Sequence, residues 1–418
     1  MKMAESKIAF QGALLIDGNG EAPIENSLVL IEDDKFTYAG PAKDVDLSGY
    51  EVCDVSGKTL LPGLVECHTH LAGTLNPDPG EWMGERNTYE AIVATSQAKT
   101  LLDYGFTTVR DISRYGLDLK KAIENGTIEG PRLWVTGRGI ARTGGHGDWP
   151  FFDPEVVKAQ HPWAIVADGV EECRKTTRYL LSRNVDGIKI WASGGGLHDA
   201  DIDMDTHLTR EEIQMIVDEA NYLGKPVIAH CEGLESAIFA IEAGCYSIEH
   251  GEEMDDYCIE QLKARGTYVI PTLMVFVNWY SKWDPPYRPE LENYPGANYR
   301  EKALARIFDN FRKCKEAGVK MGCGADSFAS NFTPYGSDSL KEVHCFVDAG
   351  CTEMEALVSA TKIGAEILQY DDICGTIETG KYADLIVLDK NPLENIRNLE
   401  KENMSMVMKE GKAVWSTL

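Results

Sequence analysis

The chain has 418 residues, 43% hydrophobic and 26% charged, with 41 Lys+Arg against 67 Asp+Glu and a net charge of −26. That composition excludes a fibrous or disordered chain, and the length calls for two or three domains or one large α/β barrel with additions. The negative field excludes a nucleic-acid backbone or an anionic membrane surface as partner. Residues 1–7 carry no apolar leader, and no run approaches the ~20 apolar residues of a membrane span. Eleven cysteines, scattered without Cys-x-x-Cys pairs, suit reduced thiols, so a cytoplasmic protein is expected. Cys67, Cys231 and Cys323 stand in apolar strand-like runs and read as small hydrophobes, not nucleophiles.

In chain order, residues 7–14 and 27–31 are short β-branched and aromatic runs parted by turn residues, and predict strands. From residue 62 the pattern becomes strand then helix, repeatedly. Apolar runs at 62–71, 105–112, 132–140, 185–192, 226–230, 245–250, 267–273 and 319–326 predict strands. Amphipathic stretches at 86–103, 169–183, 209–223, 234–243, 255–265 and 299–317 predict helices between them. Such units in series predict a parallel sheet closed into a (β/α)8 TIM barrel over residues 62–370. Residues 384–389 and 406–415 return to strand character. The end segments 1–61 and 371–418 are then expected to pair into one small β-sandwich. The stretch 278–298, rich in Trp, Tyr and Pro, is an insertion after the seventh strand, either a lid over the catalytic face or a surface excursion.

Active sites of such barrels lie at the C-terminal ends of the strands, and five of the nine histidines map there. His68 and His70 end the first strand, two residues apart and so on one face, where both imidazoles can reach one metal. His146 follows the third strand. His230 and His250 end the fifth and sixth strands and can hold a second ion about 3.5–4 Å from the first. Asp326 ends the eighth, where a carboxylate can ligate the first metal and accept a proton from its water. Lys189, on the fourth strand, is an ammonium in a barrel interior, where burial depresses its pKa. A neutral amine there can add carbon dioxide and become a carbamate bridging two cations; the plain alternative is a lysine paired with a carboxylate. His161, His207 and His344 have no place in this set. His198, Asp199 and Asp201, after the fourth strand, stay open.

These residues resemble those of the amidohydrolase superfamily of metal-dependent hydrolases. The likeness rests on Leu61-Pro62-Gly63-Leu64-Val65-Glu66-Cys67-His68-Thr69-His70, on Gly105-Phe106-Thr107-Thr108-Val109-Arg110-Asp111 and on Gly380-Lys381-Tyr382-Ala383-Asp384-Leu385. Thr143-Gly144-Gly145-His146-Gly147-Asp148 and the Ile188–Gly196 stretch resemble the imidazolonepropionase-related branch, with its Xaa-Pro dipeptidases and aryl-amide hydrolases. The resemblance implies two zinc-type divalent ions, carboxylated Lys189 between them, and His146 on the substrate carbonyl oxygen. One departure stands out: Cys231-Glu232-Gly233 follows His230 where the branch has an alanine-aromatic or alanine-His pair. Glu232 shares a face with His230 and can point into the pocket.

The leading expectation is hydrolysis of an amide bond in a small molecule by a metal-bridging hydroxide. The substrate would be a dipeptide, an Xaa-Pro dipeptide or an N-acyl amino acid. Asp326 and His146 would be catalytic, and Glu232, Arg110 and Arg142 would contact substrate, the arginines as partners for a carboxylate. The alternatives are hydrolysis of a cyclic or aryl amide, deamination of a heterocyclic amine, and a non-catalytic scaffold. Association into a homo-oligomer is expected.

Overall fold

The computed structural model describes residues 7–198, 201–202, 204–282 and 299–418. Its backbone begins and ends in sheet. Lys7–Gln11, Ser27–Glu32, Lys35–Pro41 and Glu51–Asp54 form a four-stranded sheet. A five-stranded sheet mixes the two chain ends: Leu14–Leu15 and Thr59–Pro62 lie beside Leu385–Leu388, Met404–Lys409 and Lys412–Ser416. Leu60 stands opposite Val387 in antiparallel register. Because alternate strand residues point to opposite faces, one face of each sheet can be wholly apolar. Phe10, Val29 and Phe36 of the first sheet join Leu60, Leu385 and Met408 of the second in one buried cluster. Each such side chain contributes roughly 1.5–3 kcal/mol by leaving water.

Thr59–Pro62 runs through Gly63 into the first parallel strand, Leu64–Thr69. Only a glycine fits there, since a Cβ at Gly63 would overlap the Thr107 side chain. Leu64–Thr69 pairs with Phe106–Asp111, which pairs with Arg132–Val135. Gly139–Ala141 pairs with Ile188–Trp191, and parallel pairing continues through Val227–Cys231, Ser247–His250 and Tyr268–Ile270. The Asp186 N–H donates to Val135 O at 2.7 Å, joining the third strand to the fourth. Residues 320–327 lie between the seventh strand and the first. Gly322 N–H donates to Val269 O at 3.0 Å, and Asp326 N–H donates to His68 O at 2.9 Å. Most of these strands are buried along their whole length, which is why they read as near-continuous apolar runs.

Helices fill the intervals. Arg210–Asn221 starts at a capping box in which Thr209 accepts from Glu212 N–H and Glu212 reaches back to the Thr209 backbone. Leu234–Ala243 and Asp256–Arg265 each end on a left-handed glycine, Gly244 and Gly266. Several features depart from the sequence reading. The run 132–140 is two strands, broken at Gly137 (φ +67°). Residues 164–166 add a strand, and 116–124 and 154–160 add short helices. The segment 319–326 makes only isolated bridges, because Gly322 and Gly324 weaken a strand and are kept for close approach: a Cβ on Gly324 would stand 2.8 Å from His68 Cβ. The insertion begins in the helix Leu273–Lys282, and residues 283–298, on which the lid reading falls, lie outside the described residues. Among the described residues, no helix is long and apolar enough to cross a membrane.

Candidate active site

The fifth and sixth strands run in register with Trp191 beside His230 and Cys231 beside His250, so their last residues arrive at one level. The His68 ring lies 5.4 Å from His70 and 5.2 Å from His250, and His230 lies 4.5 Å from His250. One ligand atom from each of His68, His70 and Asp326 falls within a 4.8 Å group. His250 (φ +71°) and Asp326 (φ +53°) both adopt the left-handed backbone, as does Thr272 (φ +47°). That conformation costs about 1–3 kcal/mol per residue and persists only where the surroundings dictate it.

Each imidazole is anchored through one nitrogen. His68 Nδ1–H donates to Glu249 Oε2 at 2.6 Å, His70 Nδ1–H to Ile112 O at 2.8 Å, and His230 Nε2–H to Gly194 O at 2.8 Å. His250 Nδ1 pairs with Thr272 Oγ1 at 2.7 Å. A fixed acceptor on one nitrogen leaves the other as a lone pair directed inward, the arrangement of a metal-binding histidine. His70 Nε2 lies 3.1 Å from Asp326 Oδ1, while His68 Nε2 and His230 Nδ1 are buried without a hydrogen-bond partner. Lys189 Nζ is also buried and unpartnered, 4.4 Å from the Trp191 ring centre. No carboxylate forms an ion pair with it among the described residues. Burial pushes the Lys189 amine down to about 8 against the pull of Glu249 and Asp326. Burial likewise lowers His68 and His230 and takes His250 to about 3, so these three imidazoles are neutral donors. Burial would raise Asp326, but His68 and His70 outweigh it and hold the carboxyl well below its usual range. Neutral imidazoles, an ionised carboxylate and a neutralisable buried amine, with orphaned atoms facing one another, form a donor set that fits divalent cations.

His146 adjoins this cluster, its ring stacked 4.5 Å from that of His230. Its Nδ1 pairs with Asp201 Oδ2 at 2.8 Å, and a Cβ at Gly195 would overlap the ring. Burial would raise Asp201, but His146 outweighs it and the carboxyl falls to about 2. A cavity open to solvent stands over the cluster, with His70, His146, His230, His250 and Asp326 on its floor. Its walls are Trp163, Trp191, Phe276, Trp279 and Phe328, and Glu232 also lines it.

The two arginines fall elsewhere. Arg110 is 1% exposed and points beneath the cluster: its guanidinium donates to Cys67 O and pairs with Glu249. It braces the carboxylate that anchors His68 and is withdrawn from substrate, because a cation on an interior strand position needs that counter-charge. Arg142 does not line the cavity; its stem packs on Gly145, beside His207. His207, without a role in the sequence reading, accepts from the His146 backbone N–H at 3.3 Å and stands 4.0 Å from Asp201. His198 Nε2 lies 3.4 Å from Gly145 O, and Asp199 is outside the described residues. His161 bonds to Trp149 and His344 to Leu399 O. Sequence reasoning missed Glu249, although a carboxylate in the buried run Ser247-Ile248-Glu249-His250 marks a charge that must be paired.

A model described as the amidohydrolase family matches residues 59–414. The ochratoxinase of Aspergillus niger is 29% identical, over 98% of this chain and 86% of that protein. The crystal structure of a prolidase complexed with N-methylphosphonate-L-proline superposes with a TM-score of 0.88 at 29% identity, covering 99% of this chain and all (100%) of that one. The structure of a Xaa-Pro dipeptidase with bound methionine gives 0.83 at 31% identity, covering 98% and 100%.

Proposed function

Starting from a chain that belongs to the amidohydrolase family and is a hydrolase of C–N bonds, we propose that it cleaves an amide of a small molecule at the histidine cluster. The substrate classes considered are dipeptides, Xaa-Pro dipeptides, N-acyl amino acids and aryl amides. The fold is read as a closed (β/α)8 barrel over residues 62–370, carrying a β-sandwich made from 1–61 and 371–418. The observation that carries the proposal is the meeting of buried, unpartnered His68 Nε2, His230 Nδ1 and Lys189 Nζ around Asp326, beneath an open aromatic cavity.

His68, His70 and Asp326 would hold one divalent ion, taken as zinc, and His230 and His250 a second, with Lys189 carboxylated on Nζ between them. When bound, such ions acidify a water and polarise a carbonyl. The chain's own groups do the rest. Asp326, ionised at neutral pH, takes the proton of the attacking water and hands it to the leaving nitrogen. Asp201 holds Nδ1 of His146 and so orients the ring, whose other nitrogen would face the carbonyl oxygen as negative charge gathers there. Water adds to the carbonyl carbon, the C–N bond breaks with its electron pair on nitrogen, and a carboxylate and an amine leave.

The test is metal analysis of the purified chain, with a library of dipeptides, N-acyl amino acids and aryl amides scored for released amine. Turnover of an amide that disappears on chelation and returns with zinc is expected. Bound metal with no amide cleaved anywhere in the library would overturn the reading.

A further inference from the structure

The helix Leu273–Lys282 follows the seventh strand and carries Val275, Phe276 and Trp279 on the cavity wall. Its first N–H groups, like those of any helix, have no partner within it. Thr272, the residue before it, is of a type that usually meets this need, since a threonine hydroxyl there accepts from the second or third N–H. Here the hydroxyl is turned another way: Thr272 Oγ1 lies 2.7 Å from His250 Nδ1, on a backbone held at φ +47°. That conformation is an outlier for a β-branched residue. The helix start is served instead by Glu342, from the helix Ser337–Asp348. Its Oε1 accepts from Leu273 N–H at 3.0 Å and its Oε2 from Met274 N–H at 2.6 Å. Leu273, Met274 and Glu342 are all buried, so the two N–H groups depend on this carboxyl. One turn earlier on the same helix, buried Asp338 accepts from the Asn278 side-chain amide at 2.7 Å, a second hold on the wall helix.

We propose that Glu342 is a positioning residue for His250: by capping the wall helix it releases the Thr272 hydroxyl to hold the imidazole. The inference rests on the metal-centre reading of the same cluster. With Glu342 in place the helix start is satisfied, and Thr272 Oγ1 can accept from His250 Nδ1–H, which keeps the lone pair on Nε2 for a cation. Without it, two buried N–H groups would be orphaned, a loss that turning the Thr272 hydroxyl to Met274 N–H partly recovers. The same turn lets Thr272 leave the left-handed region for the extended backbone of an ordinary capping residue. Both changes remove the His250 anchor, and an imidazole without it is free to rotate or change tautomer. Glu342 thus acts on the centre through the backbone of residues 272–274, to which both of its hydrogen bonds go.

The experiment challenges the full, zinc-replete chain with a chromogenic chelator and reads the zinc released. Glu342→Met keeps the length of the side chain and removes both acceptors. One zinc ion should then be held about 10–100-fold more weakly, the effect of losing an outer hydrogen bond to a ligating histidine. Thr272→Val, which keeps the β-branch and deletes the hydroxyl, should give a loss of the same size. The double variant should be no weaker than either single one, because both act through one hydrogen bond. Glu342→Gln, with one accepting oxygen, should recover part of the affinity, and it carries the test if the methionine variant does not fold. A folded Glu342 variant with lowered Tm but wild-type zinc affinity would overturn the inference, by making Glu342 a plain support of the helix. Losses that multiply in the double variant would overturn it too, since the two residues would then act by separate routes. A wild-type chain that holds no zinc would sink the metal-centre reading beneath it as well.

Discussion

The two ends of the first parallel strand enter different worlds. Where it leaves the paired sheets, its neighbours Leu60 and Leu61 are wholly buried among apolar side chains, and Leu60 pairs in register with Val387. Where it ends, at His68 and His70, most residues are buried too, yet they are histidines, a lysine and Glu249, beside a partly exposed Asp326. Backbone there is forced left-handed at His250 and Asp326, and polar atoms of His68, His230 and Lys189 lack partners. The first region is paired sheet packed by apolar side chains. The second breaks several local rules of stability at once, and such concentrated violations mark a functional site supported by the surrounding fold.

Experiments can press on that contrast, from its strongest point to its weakest. Chelation, or Lys189→Ala, should remove turnover and lower the metal bound per chain; a Lys189→Ala protein with wild-type metal content and turnover would falsify the carbamate role. His146→Asn should lower kcat by about 10²–10³-fold with little change in metal content, the loss of one donor to a developing oxyanion. Glu249→Gln should weaken metal binding about 10–100-fold, read by competition with a chromogenic chelator, because His68 loses the anchor that sets its tautomer. It should also lower Tm, since Arg110 would be left beside an uncharged partner. Leu385→Ala, in the region of satisfied contacts, should cost about 2–5 kcal/mol of stability in denaturant titration. Turnover per folded molecule should not change; a large fall there would show that the two regions are not separable.

Much of this was legible before any coordinates. The helices at 234–243 and 299–317 appear in the structure with the bounds their periodicity suggested, because an amphipathic 3.6-residue pattern is a local property. The short spacing of His68 and His70 disclosed a shared face for the same reason. The run 132–140 misled because Gly137 sits inside it, and the pattern of apolar residues does not register a φ of +67°. Arg110 misled differently. It was expected to meet a substrate carboxylate, but its partner is Glu249, 139 residues away in the chain, and such a pairing leaves no local trace. Asp201 and His207 were visible as residues, yet their convergence on His146 depends on how the loop after Trp191 folds back.

By itself the sequence determined most of the strand–helix alternation and the inventory of donors, since these follow from periodicity and side-chain chemistry within a few residues. The tertiary structure alone decided which nitrogen of each histidine faces inward, that Lys189 has no carboxylate partner among the described residues, and that Arg110 lies under the site. Those outcomes depend on contacts between residues far apart in the chain, where burial makes each unpaired charge or donor expensive and so selects one arrangement.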